Sequence, residues 1–239
     1  MSLHKSESVS VIIPAYNGRK YICQAIKSVL DQTLSPSDFE VIVVDTKSTD
    51  DTPHIVRSMF KDKVKVIITE KRGWRSFGLN VGIRKSVGQY LSFLDQDDIY
   101  FPWKLQKQLE FMRKNPEVGM VYGPFKTASG ENLEAETLEN PPEFNFKSLL
   151  KKCFIPSCSV MVKRKLVLEL GGFDENILGC DDWDMWIRLA RICEIKKLDI
   201  LTYIHRLHPE SWSSTHGKLH AFYRKKVREK WSNVLGAKK

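Results

Sequence analysis

The chain has 239 residues, 42% hydrophobic and 28% charged, which fits an ordinary globular protein with a substantial core and no apolar run of bilayer length. Five cysteines (Cys23, Cys153, Cys158, Cys180, Cys193), odd in number and without a CxxC pair, argue against a disulfide framework and structural zinc. The polar opening Met1 to Ser8 is unlike a signal peptide, so a cytoplasmic location is expected, and the net charge of +9 lacks the basic-aromatic pattern of a nucleic-acid binder.

Val9 to Pro14 reads as a buried strand, and Lys20 to Gln32 as a helix with Tyr21, Ile22, Ala25, Ile26, Val29 and Leu30 on its inner face. Phe39 to Asp45 is a second strand. Asp50 and Asp51 open a helix carrying Ile55, Val56, Met59 and Phe60. Val64 to Thr69, a helix from Phe77 to Ser86 and a strand from Tyr90 to Leu94 follow. This alternation predicts an α/β fold, Rossmann-like, with a mostly parallel central sheet flanked by helices.

The fourth strand runs into Asp95-Gln96-Asp97-Asp98. Asp is a poor strand former and like charges repel, so three carboxylates in four residues destabilise the chain unless something neutralises them. A hard divalent cation, Mg²⁺ or Mn²⁺, prefers such oxygens. The other reading is a solvated acidic turn before the helix that follows Pro102. Position favours the cation: Ala15 to Gly18, Asp45 and Asp95 to Asp98 all follow strand carboxyl ends, the rim where open α/β sheets bind ligands.

Beyond Pro102 the pattern predicts a helix from Trp103 to Lys114 and a strand from Val118 to Tyr122. The polar, acidic stretch Ser129 to Pro142 reads as a mobile surface loop. A helix from Asn145 to Lys152, a strand from Ser159 to Val162 and a helix from Arg164 to Leu170 come next. Asp182 to Cys193 is a further helix, with a strand running through Ile204. Seven of the nine excess positive charges fall in the last 22 residues, where Leu219, Tyr223, Val227, Trp231 and Val234 or Leu235 recur at helical spacing. Such a basic amphipathic helix suits peripheral contact with an anionic membrane face, or packing of its apolar stripe on the domain; the two are compatible.

Read together and in order, Val9-Ser10-Val11-Ile12-Ile13-Pro14-Ala15-Tyr16-Asn17, Ser28-Val29-Leu30-Asp31-Gln32-Thr33, Val43-Val44-Asp45, Asn80-Val81-Gly82-Ile83, Phe93-Leu94-Asp95-Gln96-Asp97-Asp98, Gly171-Gly172-Phe173-Asp174-Glu175 and Asp181-Asp182-Trp183-Asp184-Met185-Trp186 closely resemble family 2 glycosyltransferases. The resemblance covers about residues 7 to 215. It implies the GT-A fold over 1–216, with a nucleotide-sugar half at about 7–98 and an acceptor half at 99–216, followed by the basic helix 217–239. It further implies transfer of a sugar, with inversion, from a nucleoside-diphosphate sugar to a saccharide or lipid-linked acceptor, as in cell-surface polysaccharide or glycolipid synthesis.

By the same resemblance the donor lies against Pro14, Tyr16, Asn17, Asp45, Thr46, Asn80 and Asp95. Asp97 is expected in direct contact with the cation, Asp98 as a second ligand, and Asp182 as the base that deprotonates the acceptor. Asp181 stands where the family usually has Glu; helix N-terminal acids paired with the macrodipole are the other reading of these carboxylates. The segment from His205 to Ser213 resembles a late loop over the diphosphate, placing Arg206 at a phosphate and His208 at the diphosphate or the metal. Trp212 either covers the sugar or packs on the core.

Two departures stand out. The second strand usually ends Asp-Asp-Gly-Ser, the second Asp accepting from a uracil ring, whereas here Thr46 and Lys47 follow Asp45. Leu79 precedes Asn80 where Arg is common. These changes leave open a GT-A module that binds nucleotide without turnover. A nucleotidyltransferase would call for a Gly-rich basic phosphate loop, which Ala15-Tyr16-Asn17-Gly18-Arg19 does not supply.

Overall fold

The computed structural model describes residues 8–130 and 133–236. The polar opening before Ser8, and Lys238 and Lys239 of the basic tail, lie outside them. In chain order the elements are β1 (Val9–Ala15), α1 (Ile22–Leu30), β2 (Phe39–Asp45), α2 (Thr52–Phe60), β3 (Lys65–Ile68), α3 (Arg75–Lys85), β4 (Tyr90–Phe93) and β5 (Ile99–Tyr100). Next come α4 (Lys104–Lys114), β6 (Val118–Tyr122), β7 (Phe125–Ser129), β8 (Glu134–Glu139), α5 (Phe146–Lys151), β9 (Met161–Lys163) and α6 (Arg164–Glu169). The chain continues through α7 (Asp181–Leu189), β10 (Glu194–Lys197), β11 (Tyr203–Leu207), α8 (Trp212–Thr215) and α9 (Gly217–Gly236).

Seven strands form one sheet in the order β10-β6-β9-β4-β1-β2-β3. Strand β1 is buried along its whole length and splits the core by its period of two. Val9, Val11, Ile13 and Ala15 join Ile22, Ala25, Ile26 and Val29 of α1 on one face. Ile12 joins Leu79 and Ile83 of α3 on the other. Helix α3 sits close to the sheet because Gly82 faces β1: a Cβ there would lie 2.5 Å from Ile12 Cγ2.

The main sheet is mostly parallel, as expected: among the described residues β1, β2, β3 and β4 pair in parallel, β10 pairs in parallel with β6, and β9 alone inserts antiparallel between β4 and β6. Two other expectations need correction. The stretch expected as a mobile loop instead supplies β8, which pairs antiparallel with β7 in a second sheet of order β5-β11-β7-β8. As an edge strand β8 satisfies its backbone on one side only, and exposed Leu138 shows that it need not bury an apolar face. The segment expected as one strand through Ile204 is two: β10 joins the main sheet and β11 the second.

Helix α9 packs Val227 and Trp231 into the core that also holds Leu149 of α5 and Trp183 and Trp186 of α7. Two of its cations turn inward. Lys230 reaches Asp174 and Asp184 at 3.1 and 2.8 Å, and Arg228 lies over the Trp183 ring. Lys218, Lys225, Lys226 and Phe222 remain on its exposed side. Among the described residues no helix is long and apolar enough to cross a membrane.

Candidate active site

Register brings the carboxyl ends of the first four strands to one rim. Ala15 pairs with Asp45, Asp45 with Ile68, and Ile12 with Phe93, so the loops after β1, β2, β3 and β4 emerge side by side. The side chain of Gln96 joins two of them: its Oε1 accepts from the Tyr16 N–H at 2.9 Å and its Nε2 donates to the Tyr16 carbonyl at 3.1 Å. Gly18 leaves room for that amide, which a Cβ would occupy. Asn17 joins the β1 and β2 loops by accepting from the Thr49 N–H and donating to Thr49 Oγ1.

Asp95, Asp97 and Asp98 are not a solvated turn. Asp98 is 1% exposed, and each carboxylate faces a different basic group. Arg75 Nε donates to Asp95 at 2.6 Å, His205 Nδ1 lies 3.1 Å from Asp98, and His208 Nε2 lies 2.9 Å from Asp97. Burial, with Asp98 and Asp95 adding their repulsion, pushes Asp97 up to about 6 against the pull of His208. His205, raised by Asp98 against its own desolvation, titrates at about 9 and is charged at neutral pH.

This chemistry fits a hard cation in its oxygen donors. Asp95, Asp98 and Cys158 each offer an atom within 4.8 Å of the others. Burial holds the Cys158 thiol protonated, and its sulfur accepts from the Asp95 N–H at 3.3 Å, so the carboxylates are the hard donors. The Nδ1 of His208 is buried and has no hydrogen-bond partner among the described residues, a polar atom on the same rim still to be satisfied. Asp97, expected in direct contact, lies outside that three-atom grouping with its carboxylate on His208.

Across the rim, α7 presents its acids with divided tasks. Asp184 is buried and takes hydrogen bonds from Arg188 Nε at 2.8 Å and Trp231 Nε1 at 2.9 Å, which fastens α9. Asp181 receives Arg75 Nη1 at 3.2 Å. Asp182 is half-buried and accepts from the Trp183 N–H at 2.7 Å. Burial and the neighbouring Asp181 push it up to about 7, with Arg75 opposing. A carboxylate that titrates near neutrality is tuned to take a proton. Arg75 completes the arrangement: with Nη2 on Ser157 Oγ at 2.5 Å, its single guanidinium spans the acid loop and α7.

Several expected donor contacts are turned elsewhere. Asn80 is clamped within the protein, its Nδ2 donating to the Phe173 carbonyl and Glu175 and its Oδ1 accepting from the Phe173 N–H. It braces the turn at Gly172, where φ is +83° and a Cβ would lie 2.5 Å from Asn80 Oδ1. Pro14 is buried against Gly78 of α3. The Thr46 hydroxyl faces inward and donates to the Ala15 carbonyl at 3.2 Å. Asp45 is fully buried and takes the Ser48 N–H and hydroxyl at 2.8 and 2.5 Å. Lys47 keeps the turn expected of Gly by adopting φ 66° itself. Arg206, expected at a phosphate, is 1% exposed and donates to the Asp97 carbonyl, the Gly130 carbonyl and Gln24. It therefore braces the acid loop from beneath.

Sequence reasoning missed Arg75, Gln96 and His205. The signal for Arg75 was present: it precedes Leu79 by one helical turn, on the face where the resemblance leads one to look for Arg.

The family described as Glycosyl transferase family 2 matches residues 10–171. An uncharacterized glycosyltransferase of Rickettsia bellii is 32% identical over 214 residues, 86% of this chain and 30% of that protein. The Escherichia coli UDP-Glc:alpha-D-GlcNAc-diphosphoundecaprenol beta-1,3-glucosyltransferase WfgD is 27% identical over 230 residues, 95% of this chain and 85% of its own. This chain spans between 30% and 61% of the length of the Rickettsia relatives it matches. Among solved structures, the mannosyltransferase PcManGT of Pyrobaculum calidifontis, in complex with GDP-Man and Mn²⁺, superposes with a TM-score of 0.73 at 19% identity. That match covers 98% of this chain and 66% of the other.

Proposed function

The chain belongs to glycosyl transferase family 2 and has the GT-A fold, and on that premise we propose that it moves a sugar, with inversion, from a nucleoside-diphosphate sugar to an acceptor hydroxyl. The observation that carries the reading is Arg75, one guanidinium tied both to Asp95 in the acid loop and to Asp181 beside Asp182. Donor and acceptor ends are thereby set at a fixed separation. Asp182 takes the proton of the acceptor hydroxyl as that oxygen bonds to the anomeric carbon. The bond from that carbon to the diphosphate oxygen breaks on the opposite face, and the diphosphate leaves with its electrons. The chemistry a bound Mg²⁺ or Mn²⁺ supplies is neutralisation of that leaving charge, and Asp95 and Asp98 are the grouped oxygen donors that would hold it, with Asp97 beside them in the same loop on His208. Arg206 and His208 keep the acid loop in place by holding the Asp97 carbonyl and carboxylate.

The acceptor in this reading is a saccharide, free or lipid-linked, as the name of the WfgD relative indicates for that protein. Lys218, Lys225 and Lys226, with exposed Phe222 between them, then offer a peripheral contact to anionic headgroups on the cytoplasmic face of a membrane. The deciding experiment incubates the protein with a panel of UDP-, GDP- and dTDP-sugars and follows nucleotide release, with Mn²⁺ and with EDTA. Cation-dependent turnover, lost in Asp182→Asn while nucleotide still binds, is expected. Absence of calorimetric binding to every donor in the presence of Mn²⁺ refutes the reading, and binding without any turnover identifies the module that has lost catalysis.

A further inference from the structure

The base-binding end of the rim carries an unspent arginine. The guanidinium of Arg72, in the loop between β3 and α3, lies over the Tyr16 ring with Cζ 4.3 Å from its centroid. Tyr16 is itself fixed to the acid loop by Gln96. Arg72 is therefore held by a ring face, yet among the described residues no carbonyl or carboxylate accepts from its N–H groups. Lys71 beside it lies over Phe77, and Lys47 at the end of β2 is exposed.

Acceptors at this end are already in use. Both Asp45 oxygens take Ser48, and the Thr46 hydroxyl donates inward. Asp50 takes Thr52, Asp51 pairs with Arg19, and Glu175 takes Asn80 Nδ2. Exposed Glu70 is the remaining neighbouring acid. The end of the site is thus rich in donors and poor in free acceptors, and while the Arg19 guanidinium is paired with Asp51, that of Arg72 sits on an aromatic ring.

Resting on the nucleotide-sugar reading above, we infer that the base recognised here is guanine, its O6 and N7 edge taken by the Arg72 fork. A purine edge with two adjacent acceptors matches a guanidinium in bidentate fashion, which is the commonest specific arginine–base contact. Uracil has no adjacent pair of acceptors, because N3–H separates its two carbonyls; cytosine does set N3 beside O2, so CDP is the pyrimidine control that GDP must exceed. Adenine offers N7 beside an amino donor, which the fork repels.

The test is calorimetric titration of the whole chain with GDP, UDP, CDP, IDP and 7-deaza-GDP at fixed Mn²⁺. GDP is expected to bind about tenfold more tightly than UDP or CDP. IDP, which keeps O6 and N7, follows GDP, and 7-deaza-GDP falls to the level of UDP. Arg72→Ala brings GDP to that level with an unchanged melting temperature, since the side chain is exposed. Arg72→Lys does the same, because it keeps the charge and loses the fork. UDP or CDP binding as well as GDP, full affinity for 7-deaza-GDP, or a preference that survives in Arg72→Ala overturns the inference and leaves the transferase reading standing. Failure of all five nucleotides to bind overturns both.

Discussion

Replacing Asp182 by Asn should move activity and stability in opposite directions. The substitution keeps the side-chain shape and the oxygen that accepts the Trp183 N–H. What it removes is a carboxylate that burial and Asp181 hold at about 7, well above the ordinary 3.8. Between those two values the folded chain keeps a proton that the unfolded chain has released. Stability therefore falls as pH rises through that window, and the full penalty is present above about 7. Three pH units correspond to about 4 kcal/mol at 1.36 kcal/mol per unit; because Asp181 and Arg75 share the interaction, roughly half is assigned to Asp182. Asp182→Asn should thus gain about 2 kcal/mol at pH 8, a rise of roughly 4–8 °C in melting temperature for a chain of this size. Little gain is expected at pH 4. Nucleotide release in the presence of acceptor should drop by about 10²–10⁴, the usual contribution of a general base. Scanning calorimetry at pH 4 and 8, with a nucleotide-release assay at pH 8, reads both. A variant that keeps more than a tenth of the wild-type rate, or gains equally at both pH values, refutes the assignment.

The remaining predictions concern groups that support the rim. Arg75→Ala leaves buried Asp181 and its neighbour Asp95 without their shared cation, and urea unfolding should show a loss of about 3–5 kcal/mol; wild-type stability would show that the bridge contributes nothing. Trp231→Ala removes a core side chain and the hydrogen bond to Asp184, so a loss of about 3–5 kcal/mol is expected, with helical signal from α9 melting first. Lys104 is fully buried, donates to Ser92 and Gln108, and is pushed down to about 7 by desolvation. The unfolded chain keeps its lysine proton up to about 10.4, so wild-type stability should receive a rising contribution from pH 7 to 10. Lys104→Met should lack that rise when melting temperatures are compared across the same range.

How much of this was legible follows from the range of each interaction. The four parallel strands were readable because each is a short apolar run with a local signal, and burial of β1 on both faces leaves little ambiguity. Strand β8 was misread because an edge strand needs no apolar face, so its composition is that of a loop. The three acids of the β4 loop could be placed on the rim, since their strand sets their height. Their partners could not: His205 lies 107 residues from Asp98, and Asp181 lies 106 residues from Arg75.

The same limit of range applies to Arg206 and Asn80, which the sequence places at the ligand. Arg and Asn at a ligand rim are equally suited to bind a substrate or to tie loops together, and only packing decides between the two. Arg206 reaches Gln24 on α1, the acid loop and the carbonyl of Gly130 at once, so its donors are engaged before any phosphate arrives. Arg72 is the converse, an exposed residue with no sequence mark, whose fork the structure holds over Tyr16 with no acceptor among the described residues. A donor left unspent at a ligand rim is therefore stronger ground for ligand recognition than a matching motif position whose donors the protein already uses.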